Sequence, residues 1–106
     1  MVNTQREIWY PIPLRLWKRD RQYLGVITDE RSIKLLTPYV GKTVVLKIGD
    51  IYIDGTLLKV KHGQKYELEV VLPRRLALTW EKLRSGSIEH DAVIIVELKD
   101  NEEWVV

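Results

Sequence analysis

The side chains best suited to chemistry in this chain are cationic, and they cluster. Arg15, Lys18, Arg19 and Arg21 bracket one short polar turn, and Lys59, Lys61, His62 and Lys65 bracket another. Arg31 and Lys34, and then Arg74 and Arg75, stand at what read as the starts of two short helices. Such groups contact phosphates, the sequence-independent part of nucleic-acid binding. An arginine at a helix start can also reach a base edge. The competing explanation is a charged rim that keeps hairpin ends soluble. Trp17, beside Lys18 and Arg19, is the aromatic best placed to stack on a single strand, although packing in the core is the simpler role for it.

Other chemistries lack their residues. His62 and His90 fall in turns of unlike context, whereas a zinc site needs three or four ligands in fixed geometry. Glu89-His90-Asp91 reads as surface turn, so no metal and no cofactor are expected. Ser32, Ser85 and Ser87 sit in no nucleophile motif, and no phosphate-cradling glycine loop is present. The expectation is a protein that is not an enzyme.

The 106 residues fit one domain, 1–106, large enough for one core without staples. There is no cysteine, which excludes disulfides and thiolate metal sites. The net charge is +2. Glu97, Asp100, Glu102 and Glu103 against Lys99 make the end of the chain acidic, and residues 99–106 read as an acidic tail. No apolar run approaches the roughly 20 residues of a membrane span. The first residues carry neither the basic start nor the apolar stretch of a signal peptide. A cytoplasmic protein with no membrane partner is the expectation.

These clusters are positioned by an internal repeat. At an offset of 43 residues, Leu14 to Leu36 lies over Leu57 to Thr79 without a gap. Leu14 meets Leu57, Lys18 meets Lys61, Tyr23 meets Tyr66, Arg31 meets Arg74 and Leu35 meets Leu78. Each half starts with a long apolar strand, Ile8 to Trp17 and Ile51 to Val60. Each continues through a turn, Lys18 to Arg21 and Lys61 to Gln64, where Gly63 suits a hairpin. An alternating strand follows. Tyr66, Leu68, Val70 and Leu72 share one face, and Lys65, Glu67 and Glu69 take the solvent face. Tyr23, Gly25 and Ile27 form the first-half copy. Tyr23 and Tyr66 are expected at core edges.

A short helix then comes in each half. Asp29 is placed to cap the first, with Ile33, Leu36 and Val40 inward and Pro38 ending it early. Pro73 suits the first position of the second, with Leu76, Trp80 and Leu83 inward. Each half closes on a β-branched strand, Thr43 to Ile48 and Ala92 to Leu98. Val70, Leu72, Leu76, Val93 and Ile95 are predicted core. The fold class is mainly β with two short helices: a small closed β-barrel of two ββαβ halves, about 8–48 and 51–98, related by a pseudo-twofold. Closure removes sheet edges that would otherwise invite aggregation.

The run Leu58 to Ala77, with its basic turn, its strand ending in Leu72-Pro73-Arg74, its short helix and its valine-rich strand from Ala92 to Leu98, resembles the AbrB/SpoVT-type swapped-hairpin (cradle-loop) family. The resemblance implies a tandem, single-chain form and a DNA-binding regulator. A second resemblance joins Leu36 to Leu58 to the first motif of Sm-like proteins and implies an oligomeric RNA-binding barrel. There, however, Lys61-His62-Gly63 replaces the family's Asp–Asn pair. The reading is a nucleic-acid-binding module with DNA as first partner and RNA as second, its two basic turns straddling a duplex, and a homo-oligomer is possible. The alternatives are the Sm-like oligomer and a protein-interaction or assembly barrel. The interface is expected at Arg15, Lys18, Arg19, Arg21, Arg31, Lys59, Lys61, Lys65, Arg74 and Arg75.

Overall fold

The computed structural model describes residues 5–99, so the tail residues 100–106 lie outside the described residues. The elements run β1 (Gln5–Arg19), β2 (Gln22–Ile27), α1 (Glu30–Leu36), β3 (Thr43–Ile48), β4 (Ile51–Thr56), β5 (Leu58–His62), β6 (Lys65–Leu72), α2 (Ala77–Gly86) and β7 (Glu89–Lys99). All described strand pairs are antiparallel, in the order β4-β3-β7-β1-β2-β6-β5. The sheet curls into a half-barrel. No described helix is long and apolar enough to cross a membrane.

β1 is shared between two partners. Residues Gln5 to Arg15 pair with β7, and Arg15 to Arg19 pair with β2. Pro11 and Pro13 fall where β1 has β7 as its one described partner. Farther along, the Leu16 N–H bonds back to Ile88 O at 2.8 Å, on the β7 side. Since N–H direction alternates along a strand, odd-numbered residues aim away from β7, and the prolines remove no ladder bond.

The single strand expected over Ile51 to Val60 is two strands. β4 pairs with β3, β5 pairs with β6, and Leu57 alone separates them. Leu57 is fully buried and pinned by main-chain bonds, its N–H to Lys42 O and its carbonyl to Gly41 N–H. These bonds take the place of a strand pairing and break the ladder. At Gly55 the chain passes so close to β6 that a β-carbon there would lie 2.5 Å from Val70 Cγ1.

The core lies on the inner face of the sheet. Leu14, Leu16, Tyr23, Ile27, Leu46, Leu68, Val70, Leu72 and Ile94 meet Leu36 of α1 and Trp80 of α2 there. Of the predicted core, Val70, Leu72 and Ile95 are buried, while Leu76 and Val93 are half-buried. Ile95 sits on the outer face, opposite Trp9 and Val45.

Both helices are short and depend on their anchors. The Asp29 carboxylate accepts from the Ser32 N–H at 3.0 Å and the Ser32 hydroxyl at 2.8 Å, as an N-cap does. Those two bonds hold the Asp29 pKa below its usual value. Leu36 ends α1, and Pro38 stands in the following 3₁₀ turn, Thr37–Tyr39. Pro73 precedes a 3₁₀ turn, Arg74–Leu76, rather than opening α2 directly. The Trp80 indole N–H donates to Pro73 O at 2.8 Å and locks that turn to the helix.

Candidate functional site

The two hairpins that carry the basic turns have matching registers. Arg15 pairs with Val26 and Lys18 with Tyr23. Leu58 pairs with Glu69 and Lys61 with Tyr66, each 43 positions later. Both are two-residue connections with a left-handed residue in the same place, Asp20 at φ 57° and Gly63 at φ 64°. Asp tolerates that conformation and Gly adopts it freely.

β2 and β6 lie side by side, with Val26 opposite Glu69. Their outer face carries Arg15, Trp17 and Arg19 from β1, Val26 from β2, Glu67 and Glu69 from β6, and His62 from β5. In a flat sheet Arg19 would stand about 13 Å along and 10 Å across from Glu69. Instead, Arg19 Nη2 lies 3.1 Å from Glu69 Oε2. His62 Nε2 reaches the same oxygen at 3.6 Å and Glu67 Oε1 at 3.4 Å. Both hairpin tips therefore bend over the outer face and meet at Glu69.

Beneath the tips is a cleft of about 280 Å³, lined by Arg15, Trp17, Arg19, Val26, Thr28, His62, Glu67 and Glu69. Trp17 is 46% exposed, so its packing in the core is not borne out. Glu69 is only 2% exposed, against the solvent-facing position expected for it. The alternation was read correctly, but Arg19 arrives over the outer face from a hairpin 50 residues away, and His62 bends back over it from the tip of the same hairpin. Arg15 Nε is buried with no hydrogen-bond partner among the described residues.

His62, Glu67 and Glu69 each present one ligand atom, all within 4.8 Å of one another. Sequence reasoning missed this trio because it treated His62 as an isolated turn residue. The spacing signal was in the hairpin, where a residue at the end of one strand meets residues of the next. The trio shares its cleft with two guanidinium groups, one already bonded to Glu69. That charge balance favours a ligand with both donors and acceptors over a bare cation.

The remaining expected residues lie around the tips. Lys18 sits 5.2 Å from the ring centre of Tyr23 and 3.9 Å from Glu81 of α2. Lys59 and Lys61 lie 4.5 and 5.9 Å from the centre of the Tyr66 ring, within cation–π range. Tyr66 is 48% exposed, unlike its buried counterpart Tyr23. Arg21, Arg31, Lys65, Arg74 and Arg75 are exposed. Tyr23 opposite Leu72 places the Arg74-Arg75 step beside the first hairpin tip, so each tip neighbours the other half's helix start. His90 belongs elsewhere: its Nε2 lies 2.7 Å from Ser87 O and 3.1 Å from Leu83 O, tying α2 to β7. Compared with family models, curated proteins and solved structures, the chain matches none.

Proposed function

We propose that this chain is a nucleic-acid-binding module that holds a single strand of DNA or RNA between its two basic hairpin tips. The observation that carries the reading is the cleft itself, with a half-exposed indole under tips that bear Arg19, Arg21 and Lys65. Aromatic surface for stacking, flanked by cations for phosphates, is what sequence-tolerant single-strand binding requires. A cleft of about 280 Å³ admits one unstacked base and not a duplex. Arg21, Lys65, Arg74 and Arg75 hold no ion pair with a described residue, which leaves their charge for phosphates.

The AbrB/SpoVT-type barrel belongs to the same proposal. Its support is the set of registers. β1 with β7 corresponds to β4 with β3, and β1 with β2 to β5 with β6. Leu46 pairs with Ile94 and Val26 with Glu69, so corresponding residues face each other at two places. β4 and β5, joined through Leu57, then act as one strand bridging β3 and β6, just as β1 bridges β7 and β2. That correspondence is what supports a closed barrel with a pseudo-twofold.

The test is anisotropy of labelled nine-residue oligo-dT and oligo-U, and of a duplex, at two salt concentrations. Single strands should bind, with log affinity falling by about 0.7 per phosphate contact per decade of salt. Arg21→Glu with Lys65→Glu should flatten that slope by about 1.4. No binding at roughly 50 mM salt, or a duplex bound more tightly than either single strand, overturns the reading.

A further inference from the structure

We infer that the cleft beneath the hairpin tips selects a guanine base. This inference deepens the nucleic-acid reading and rests on it for the polymer, but not for the base. A base entering the cleft meets the Trp17 indole, which is half-exposed and so has a free face to stack on. It also meets acceptors and donors together. The Glu67 carboxylate is 27% exposed and meets His62 through Oε1 alone, whereas the nearly buried Glu69 carboxylate is taken up by Arg19 and His62 through Oε2. Arg15 brings a buried Nε–H with no partner among the described residues.

The bases differ in what they offer such a pair. Guanine presents N1–H and the N2 amino group side by side, two donors matched to one carboxylate. Beside them stand O6 and N7, acceptors for a guanidinium. Adenine has an acceptor at N1, where the carboxylate needs a donor. Cytosine has one at N3. Uracil and thymine offer one N–H flanked by two carbonyls, which a carboxylate repels. Guanine alone pairs two donors with an adjacent acceptor edge, so it alone satisfies Glu67 and Arg15 at once. The orphaned Nε–H is the independent sign of a missing partner, because a buried unpaired donor carries a desolvation cost that a bound acceptor removes.

The experiment titrates the ¹⁵N-labelled protein with the 5′-monophosphates of guanosine, adenosine, cytidine and uridine. It follows the Trp17 indole N–H, assigned by its loss in Trp17→Phe. In parallel, nine-residue oligo-dT is compared with the same oligomer carrying one central guanine or one central adenine. The guanosine nucleotide should shift the Trp17 signal and the others should not. The guanine-bearing oligomer should bind about tenfold more tightly than oligo-dT, as one good bidentate contact allows. Glu67→Gln should abolish both preferences, so that the guanine-bearing oligomer binds no more tightly than oligo-dT. Trp17→Ala should weaken every oligomer by roughly tenfold, the size of one stacking contact.

Equal response to all four nucleotides, or a guanine preference that survives Glu67→Gln, overturns the assignment. So does a response that requires added Zn²⁺ and vanishes with EDTA, which makes the trio a metal site. Oligo-dT binding without a guanine preference refutes the base pocket and leaves the module. A guanosine response without oligomer binding refutes the module and leaves a nucleotide site.

Discussion

Replacing Gly55 with alanine tests whether β4 closes against β6. The new methyl group would lie 2.5 Å from Val70 Cγ1, roughly 1 Å inside ordinary contact. Val70 is fully buried, and its β-branched side chain has one strongly preferred rotamer, so it cannot swing aside cheaply. Overpacking of this kind costs about 1–3 kcal/mol. Gly55 has no positive φ, so alanine fits the backbone and restores about 0.4–1 kcal/mol by restricting the unfolded chain. The net expectation is a loss of about 1–2 kcal/mol, or a fall in Tm of roughly 5–15 °C for a domain of this size. Val70→Ala alone should cost about 2 kcal/mol. The double variant should lose at least about 1 kcal/mol less than the sum, because Val70→Ala removes the methyl that clashes. Urea unfolding of the four proteins reads all three quantities. A neutral Gly55→Ala, or strict additivity, would mean that β4 does not pack on β6 and that the curl is looser than described here.

Three further outcomes are expected. Trp80→Ala should cost about 3–5 kcal/mol in urea unfolding, since it empties a fully buried site and frees Pro73 O; a loss under about 1 kcal/mol would remove α2 from the core. Arg19→Ala should destabilise by about 1–2 kcal/mol, less than the figure for a fully buried pair because Arg19 is half in solvent, and additivity with Glu69→Ala would show the pair to be idle. Asp29 has a depressed folded pKa, so its contribution is present above the unfolded carboxylate value and is lost as pH falls through the folded one. Asp29→Ala should therefore lose stability at pH 6 and match the wild type below the folded pKa; an equal deficit at both ends of the titration would assign the effect to something other than the charge.

Periodicity located what periodicity governs. β3 spans the residues expected of it, Leu68, Val70 and Leu72 of β6 lie in the core while Tyr66 at the head of that face is exposed, and Asp29 caps α1. Failures came where a distant segment decides. Glu69 alternates as a solvent-facing residue and is buried because Arg19 from a distant hairpin and His62 from the tip of its own hairpin both fold over it. Trp17 is a large apolar residue in an apolar strand, yet it follows Leu16 and so points to the other face, where half its surface meets solvent. Leu57 breaks a continuous apolar run through main-chain bonds to Gly41 and Lys42, which no side-chain pattern records. Leu35 and Leu78 match across the repeat and are both exposed, so identity between halves did not by itself signal burial.

The two faces of the repeat carry different information. Among the strand positions that match across 43 residues, Leu14 and Leu57, Lys18 and Lys61, and Tyr23 and Tyr66 lie on the inner face, where packing and the paired lysine–tyrosine contacts constrain both copies alike. On the outer face the counterparts differ in kind: Arg15 against Leu58, Trp17 against Val60, Arg19 against His62, Val26 against Glu69. Those differences are complementary. One hairpin supplies guanidinium groups and an indole, the other supplies carboxylates and an imidazole, and the bent tips bring both sets to a single cleft. Two identical outer faces would instead place like charges together at the centre, which is unfavourable at this range. The cleft therefore lies where the two halves differ, and the opposite charges they bring there favour the close approach of the tips.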